Sequence, residues 1–140
     1  MGNEPQVGYL VKQAQSLLRL RMEEVLNPLE LTVSQYSCLH QLRREPGISA
    51  AALARATFVT RQSMNTMLQS LLDRGLVDRL DRAESGRALP TRLTHTGEDA
   101  LEAAEVQVDL IERRMLAGLS QTEQTALSRA LAACVDALGD

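Results

Sequence analysis

The stretch SAAALARATFVTRQSMNTMLQSLLDRG, residues 49–75, decides the fold. Ser49 is placed to cap a helix, because its hydroxyl accepts from the free backbone amides of a first turn. The run AALARA carries that helix to about Ala56, and its alanines permit close packing. After Thr57-Phe58-Val59 a second helix begins near Thr60 and runs to about Arg74. Its apolar side is Met64, Met67, Leu68, Leu71 and Leu72, spaced as one helical face requires. Gly75 stands where a left-handed residue closes a helix. Short helix, turn and longer helix together form a helix-turn-helix pattern.

In that pattern the second helix enters the DNA major groove by its N-terminal turns. The residues left for its outer side are Thr60, Arg61, Gln62, Ser63, Asn65, Thr66 and Gln69. Arg pairs with two acceptors of guanine, and Gln or Asn with adenine, while Thr and Ser serve bases or phosphates. No acid occurs from Val59 to Leu72. We therefore take these seven residues as DNA-reading candidates.

Outward on the C-terminal side, the period changes. Leu76–Leu80 and Leu89–Leu93 are strand-like, and DRAESGRA between them is polar with one glycine, so a hairpin with a long charged tip is expected. Pro90 has no amide to donate and must sit where the ladder needs none. Arg79, Arg82, Arg87 and Arg92 make the hairpin basic, with Asp81 and Glu84 as a partial offset. Such a wing beside a reading helix can reach phosphates or the minor groove, and Arg79, Arg82 and Arg87 join the candidates.

Outward on the N-terminal side, Thr32-Val-Ser-Gln35 reads as a capping box. A helix of about twelve residues follows, with Tyr36, Leu39 and Leu42 inward, and stops before Pro46-Gly47. Before it, residues 7–26 carry an apolar stripe that includes Leu10 and Val11, and Asn27-Pro28 ends that helix. At the far end, Thr94 opens the longest helix, to about Gly118, with Glu98 and Asp99 early and Arg113 and Arg114 late, as the helix dipole favours. Leu101, Ala104, Val108, Ile111 and Met115 recur at 3, 4, 3, 4, a seam suited to a partner helix. After a second capping box, Ser120 to Glu123, the last helix shows Leu127, Leu131, Cys134 and Leu138. The terminal helices have long stripes and little chain to cover them, so an interleaved homodimer is expected over an intramolecular bundle. Its contacts are assigned to Leu10, Val11, Leu101, Val108, Ile111, Met115, Leu127, Leu131 and Leu138.

The expected fold is therefore mainly α with a small β-hairpin wing: a winged helix-turn-helix plus a helical dimerisation region. We divide the single domain 1–140 into a DNA-binding lobe, 32–93, and a dimerisation region, 1–31 and 94–140. At 140 residues the chain has one domain's length. Its net charge is −3, yet the segment from Arg43 to Arg92 holds nine Arg against five acids. DNA binding needs a local basic face rather than a basic chain. Aromatics are only Tyr9, Tyr36 and Phe58, which argues against a sheet that stacks exposed bases. No apolar run approaches the ~18 residues of a membrane span. The opening MGNEPQVGYL lacks the basic start and apolar run of a signal peptide, and two cysteines make no disulfide framework, so a cytoplasmic, reduced protein is expected.

The sequence resembles the MarR family of winged-helix transcription regulators over nearly its whole length, from about Leu10 to Leu138. Leu31-Thr32 with Gln35-Tyr36, Pro46-Gly47, Leu53-Ala54-Arg55, the VTRQSMNTMLQSLLDRGLVDR stretch, Gly86-Arg87, and Leu93-Thr94 with Gly97 carry the resemblance. It implies a homodimer built from the first and last helices, binding a pseudo-palindromic duplex as an inverted-repeat operator. It also implies repression relieved by a small lipophilic or phenolic ligand. The ligand pocket would lie between the dimer helices and the DNA-binding lobe. First-helix residues, the Tyr36 helix and the start of the long helix would line it, with His40 or His95 nearby. By position, residues 60–69 correspond to the recognition helix, residues 81–87 to the wing tip, and Arg87 to the family's wing arginine. Many members have Asp where this chain has Ser85, which bears on the wing's contacts.

Other classes find less support. No HExxH, GxSxG, phosphate-cradling glycine loop or dinucleotide fingerprint is present, so neither an enzyme nor a cofactor is expected. Cys38, His40, His95 and Cys134 are dispersed soft ligands, and no metal site is expected. A thiol-oxidation-sensing repressor of the same fold remains an alternative, although both cysteines lie on apolar helix faces, where such residues are usually inert. A helical protein-interaction module without DNA binding is the other.

Overall fold

The computed structural model describes residues 6–79 and 91–139. Helix α1 spans Val7–Leu26 and passes into a 3-10 turn, Asn27–Leu29, at Pro28. Glu30 then takes a left-handed conformation, φ 58°. The capping box forms as expected: Thr32 Oγ1 accepts from the Gln35 amide and Gln35 Oε1 from the Thr32 amide, both at 3.0 Å. It opens α2, Val33–Arg44.

Ser49 caps α3, Ala50–Ala56, by accepting from the Ala52 amide. Thr60 caps α4, Arg61–Asp73, by accepting from the Ser63 amide. Between them the chain turns at Phe58, left-handed at φ 59° and 87% exposed. At the far end of α4, Gly75 (φ 73°) donates to the Leu72 carbonyl and Leu76 donates to the Leu71 carbonyl. These two bonds are a Schellman ending, which needs a left-handed residue at the glycine position.

Strands β1, Val77–Arg79, and β2, Thr91–Leu93, pair antiparallel, with Val77 opposite Leu93 and Arg79 opposite Thr91. The first strand begins at Val77 rather than the expected Leu76, whose amide closes α4. Leu80, Leu89, Pro90 and the expected tip, 81–87, lie outside the described residues. Thr94 then opens α5, His95–Leu116. Its hydroxyl accepts from the Gly97 amide and donates to the Gly75 carbonyl at 2.6 Å, tying α5 to the end of α4. Glu98 alone of the two early acids lies in the first turn. Helix α6, Gln121–Leu138, follows a second capping box.

The core gathers Leu26, Leu39, Leu42, Leu53, Met64, Leu68, Leu71 and Leu101, all fully buried. Burying a Leu or Met side chain is worth about 1.5–3 kcal/mol, and these come from five of the six helices, so the lobe and the start of α5 form one unit. This corrects one expectation. Leu101 was assigned to a partner-facing seam, but with Ala104 it is 0% exposed in a single chain, because the first half of α5 packs on α2. Val108 also packs on this core, and Ile111 is buried where α5 meets α1. Leu10, Val11, Met115, Leu127, Leu131 and Leu138 remain exposed. Helix α6 has no buried residue at all. The described chain is therefore not a closed intramolecular bundle.

Candidate nucleic-acid interface

Met64, Leu68 and Leu71 pull one side of α4 into the core. Periodicity then fixes the opposite side, and Thr60, Arg61, Gln62, Ser63, Asn65, Thr66 and Gln69 are all exposed, as the sequence led us to expect. Some are already engaged. The Thr60 hydroxyl donates to Ser63 Oγ, Thr66 Oγ1 donates to the Gln62 carbonyl, and Gln69 Nε2 donates to Asp73 Oδ1 at 2.9 Å. Arg61, the Gln62 amide group and Asn65 make no side-chain hydrogen bond among the described residues. They can offer their donors and acceptors outward.

The basic residues around this face divide by environment. Arg92 on β2 and Arg55 on α3 are exposed. Arg55 was part of the Leu53-Ala54-Arg55 match but was not among the DNA-binding candidates. Arg79 on β1 is half-buried, and its Nε is shut from solvent without a partner among the described residues. Arg82 and Arg87 lie outside the described residues.

Among the described residues, two separate cavities involve the elements expected to line the ligand pocket. The first, about 300 Å³, lies between α2 and the turn before α4. Tyr36, Ser37, His40 and Gln41 form one wall, and Ala56, Thr57 and Phe58 the other. The second, about 370 Å³, is a groove between α1 and α5 floored by Leu17, Leu18, Ile111 and Met115, with Arg21 and Arg114 at its edge. The first-helix residues and the Tyr36 helix thus line different cavities. His95 lines neither; it is exposed at the start of α5, 3.7 Å from Asp99.

In the first cavity the Tyr36 and His40 rings stack at 6.1 Å. Burial, and then the carboxylates of Glu105, Asp109 and Glu112, push the Tyr36 hydroxyl above its ordinary pKa, so it stays protonated. Behind His40, Glu105 of α5 accepts a hydrogen bond from Arg43 of α2, which holds the guanidinium charged. Cys38 is fully buried with its Sγ 4.0 Å from Met64 Sδ, and burial pushes the thiol up to about 12. A thiol so held is not a nucleophile near neutral pH. Cys134, placed on an apolar stripe by the sequence, is exposed in the single chain.

Among the described residues no group of three His, Cys, Asp or Glu side chains could hold a metal ion, and no helix is long and apolar enough to cross a membrane.

A helix-turn-helix with an acid-free outer face, followed by a two-stranded hairpin and flanked by long helices with exposed apolar residues, defines a winged helix-turn-helix protein. A MarR family model matches residues 29–88. The transcriptional repressor Rv2887 of Mycobacterium tuberculosis is 38% identical over 131 residues, 94% of each chain. A crystal structure of Rv2887 with salicylic acid superposes with TM-score 0.77 at 37% identity, covering 96% of this chain and 99% of that one. A structure of Rv2887 with DNA gives TM-score 0.77 at 36% identity, over 98% of this chain and all of the other. The chain belongs to the MarR family.

Proposed function

We propose that the chain is a sequence-specific, double-stranded DNA-binding transcriptional repressor, active as a homodimer in the cytoplasm and released from DNA by a small aromatic acid or phenol. It carries out no catalysis. The observation that carries this reading is the outer face of α4, exposed and free of acids from Val59 to Leu72. The close relative Rv2887, with structures holding DNA and salicylic acid, supports it.

Residues 32–93 are the DNA-binding lobe within the domain 1–140. Thr60, Arg61, Gln62, Ser63, Asn65, Thr66 and Gln69 read bases or neighbouring phosphates, while Arg79, Arg82 and Arg87 reach the backbone from the wing. Residues 1–31 and 94–140 form the dimer. Leu10, Val11, Met115, Leu127, Leu131 and Leu138 supply its apolar contacts, with Val108 and Ile111 at the edge of the core. Two-fold symmetry then sets the recognition helices about 34 Å apart, one DNA turn, and requires an inverted repeat. The Tyr36–His40 cavity is the ligand seat. It adjoins the turn that aims α4, so an occupant there bears on how α4 meets DNA.

Selection of duplexes from a random-sequence pool with purified protein tests the reading. Recovery of an inverted repeat is expected. A folded dimer that enriches no sequence at low or moderate salt would overturn it.

A further inference from the structure

Within the Tyr36–His40 cavity, one ring nitrogen is out of place. His40 Nδ1 is closed to solvent and has no hydrogen-bond partner among the described residues. Glu105 Oε2 lies 3.8 Å away on α5 and is already engaged by Arg43. That separation exceeds a hydrogen bond, and a modest turn of the ring or carboxylate closes it. An unpaired buried polar atom is unfavourable enough to drive such a turn.

We propose that Glu105 is a positioning residue for this cavity, orienting His40 so that Nδ1 donates to it and Nε2 is presented to the cavity. The hydrogen bond made by one imidazole nitrogen decides the state of the other. The charged and titratable neighbours agree with this. On α2, Tyr36 stacks on the ring and Arg43 shares the carboxylate. On α5, Glu102, Asp109 and Glu112 add negative charge around Tyr36 and Arg43. No cation of α5 opposes His40 among these groups.

The arrangement specifies ligand chemistry. With the Nδ1 hydrogen turned to Glu105, Nε2 offers the cavity an acceptor, which suits a ligand hydroxyl such as that of a phenol. Because Glu105 belongs to the long helix and His40 to the lobe, a ligand that engages His40 also loads the α2–α5 contact. This ligand consequence deepens the proposed function and rests on it; the orientation of His40 does not.

Imidazole ¹⁵N spectra of the ligand-free protein, recorded where the ring is neutral, decide the orientation. We expect His40 Nδ1 to carry the hydrogen in the wild type and a mixture of tautomers in Glu105→Ala. Alanine is a strong helix former at this partly exposed site, so that variant keeps its fold. In Arg43→Gln, which frees Glu105 Oε2, the Nδ1–H form should persist. A wild-type His40 with its hydrogen on Nε2, or spectra identical in wild type and Glu105→Ala, would overturn the proposal, as would equal disturbance by both variants. Titration with salicylate, whose hydroxyl can donate to Nε2, is the second arm, with affinity expected to fall about tenfold in Glu105→Ala, the scale of one hydrogen bond. Wild-type protein that binds no salicylate would count against the cavity as a ligand seat, while the spectra still decide the role of Glu105.

Discussion

The guanidinium of Arg74, at the C-terminal end of α4, donates a hydrogen bond of 2.7 Å to the backbone carbonyl of Glu30. Glu30 is the left-handed residue between the 3-10 turn and α2. The bond thus fastens the end of the reading helix to the joint between α1 and α2. Arg74 belongs to the basic segment of the sequence, yet its side chain is committed within the fold. We expect Arg74→Ala to cost about 1 kcal/mol of stability, a charged hydrogen bond discounted for exposure. It should weaken operator binding without changing the salt slope. Denaturant melts and binding across a salt series check this. A slope smaller by about one would place Arg74 on a phosphate instead.

Arg61 and Asn65 make no side-chain hydrogen bond among the described residues, so base reading should rest on them. Replacing Arg61 by Ala should cost about 1–3 kcal/mol on the selected operator and much less on random duplex. Competition assays with both DNAs separate the cases. Equal losses would show that Arg61 holds phosphate alone.

Gly97 sits against the end of α4. A Cβ there would lie 1.9 Å from the Leu76 carbonyl oxygen, which is backbone and cannot swing aside. Gly to Ala within a helix ordinarily adds up to about 1 kcal/mol of stability. Here the sign should reverse, with Gly97→Ala losing at least ~1–3 kcal/mol as α5 is forced from Leu76. Urea denaturation measures it, and a stabilised variant would contradict the packing at this junction.

Burial raises the Cys38 thiol from 9.0 to about 12, and the Tyr36 hydroxyl is raised as well. Both folded groups keep their protons longer than their unfolded counterparts. The unfolded state therefore binds fewer protons as pH climbs, and the stability present below pH 9 is lost between pH 9 and about 12. The Cys38 part amounts to at most ~1.4 kcal/mol per pH unit. Thermal melts from pH 8 to 11 should fall in midpoint, less steeply in Cys38→Ala. In a Cys134→Ser background, a disulfide reagent should leave native protein unmodified at pH 8. Rapid labelling of Cys38 would revive a thiol-sensing role.

Leu131 is 42% exposed on a helix with no buried residue. Leu131→Asp would place a charge in the proposed dimer contact and should shift sedimentation toward monomer at micromolar concentration, with operator affinity falling alongside. Dimer retained at those concentrations would move the interface away from α6.

Much of this fold is written in short-range signals. Thr32 with Gln35, Ser49, Thr60, Thr94, and Ser120 with Glu123 each cap a helix through atoms no more than three residues away. Such signals are complete within a few residues, so the helices could be bounded from the sequence, as could the outer face of α4 once Met64, Leu68 and Leu71 had claimed the inner one. The left-handed turn at Gly75 was legible for the same reason, since glycine meets no Cβ penalty there. Phe58 took the same conformation without any such signal.

Long-range packing settled the rest. The even 3, 4, 3, 4 stripe of α5 does not say which part faces its own chain, and only the docking of α5 on α2 turned Leu101 and Ala104 inward while Met115 stayed exposed. Partners far apart in sequence, Arg74 with the Glu30 carbonyl and Arg43 with the Glu105 carboxylate, were equally hidden, since a guanidinium carries no mark of which acceptor it will meet. Residue spacing determined the elements and their faces. Which faces meet depends on how chain segments as far as 62 residues apart fill one core, and that was decided in three dimensions.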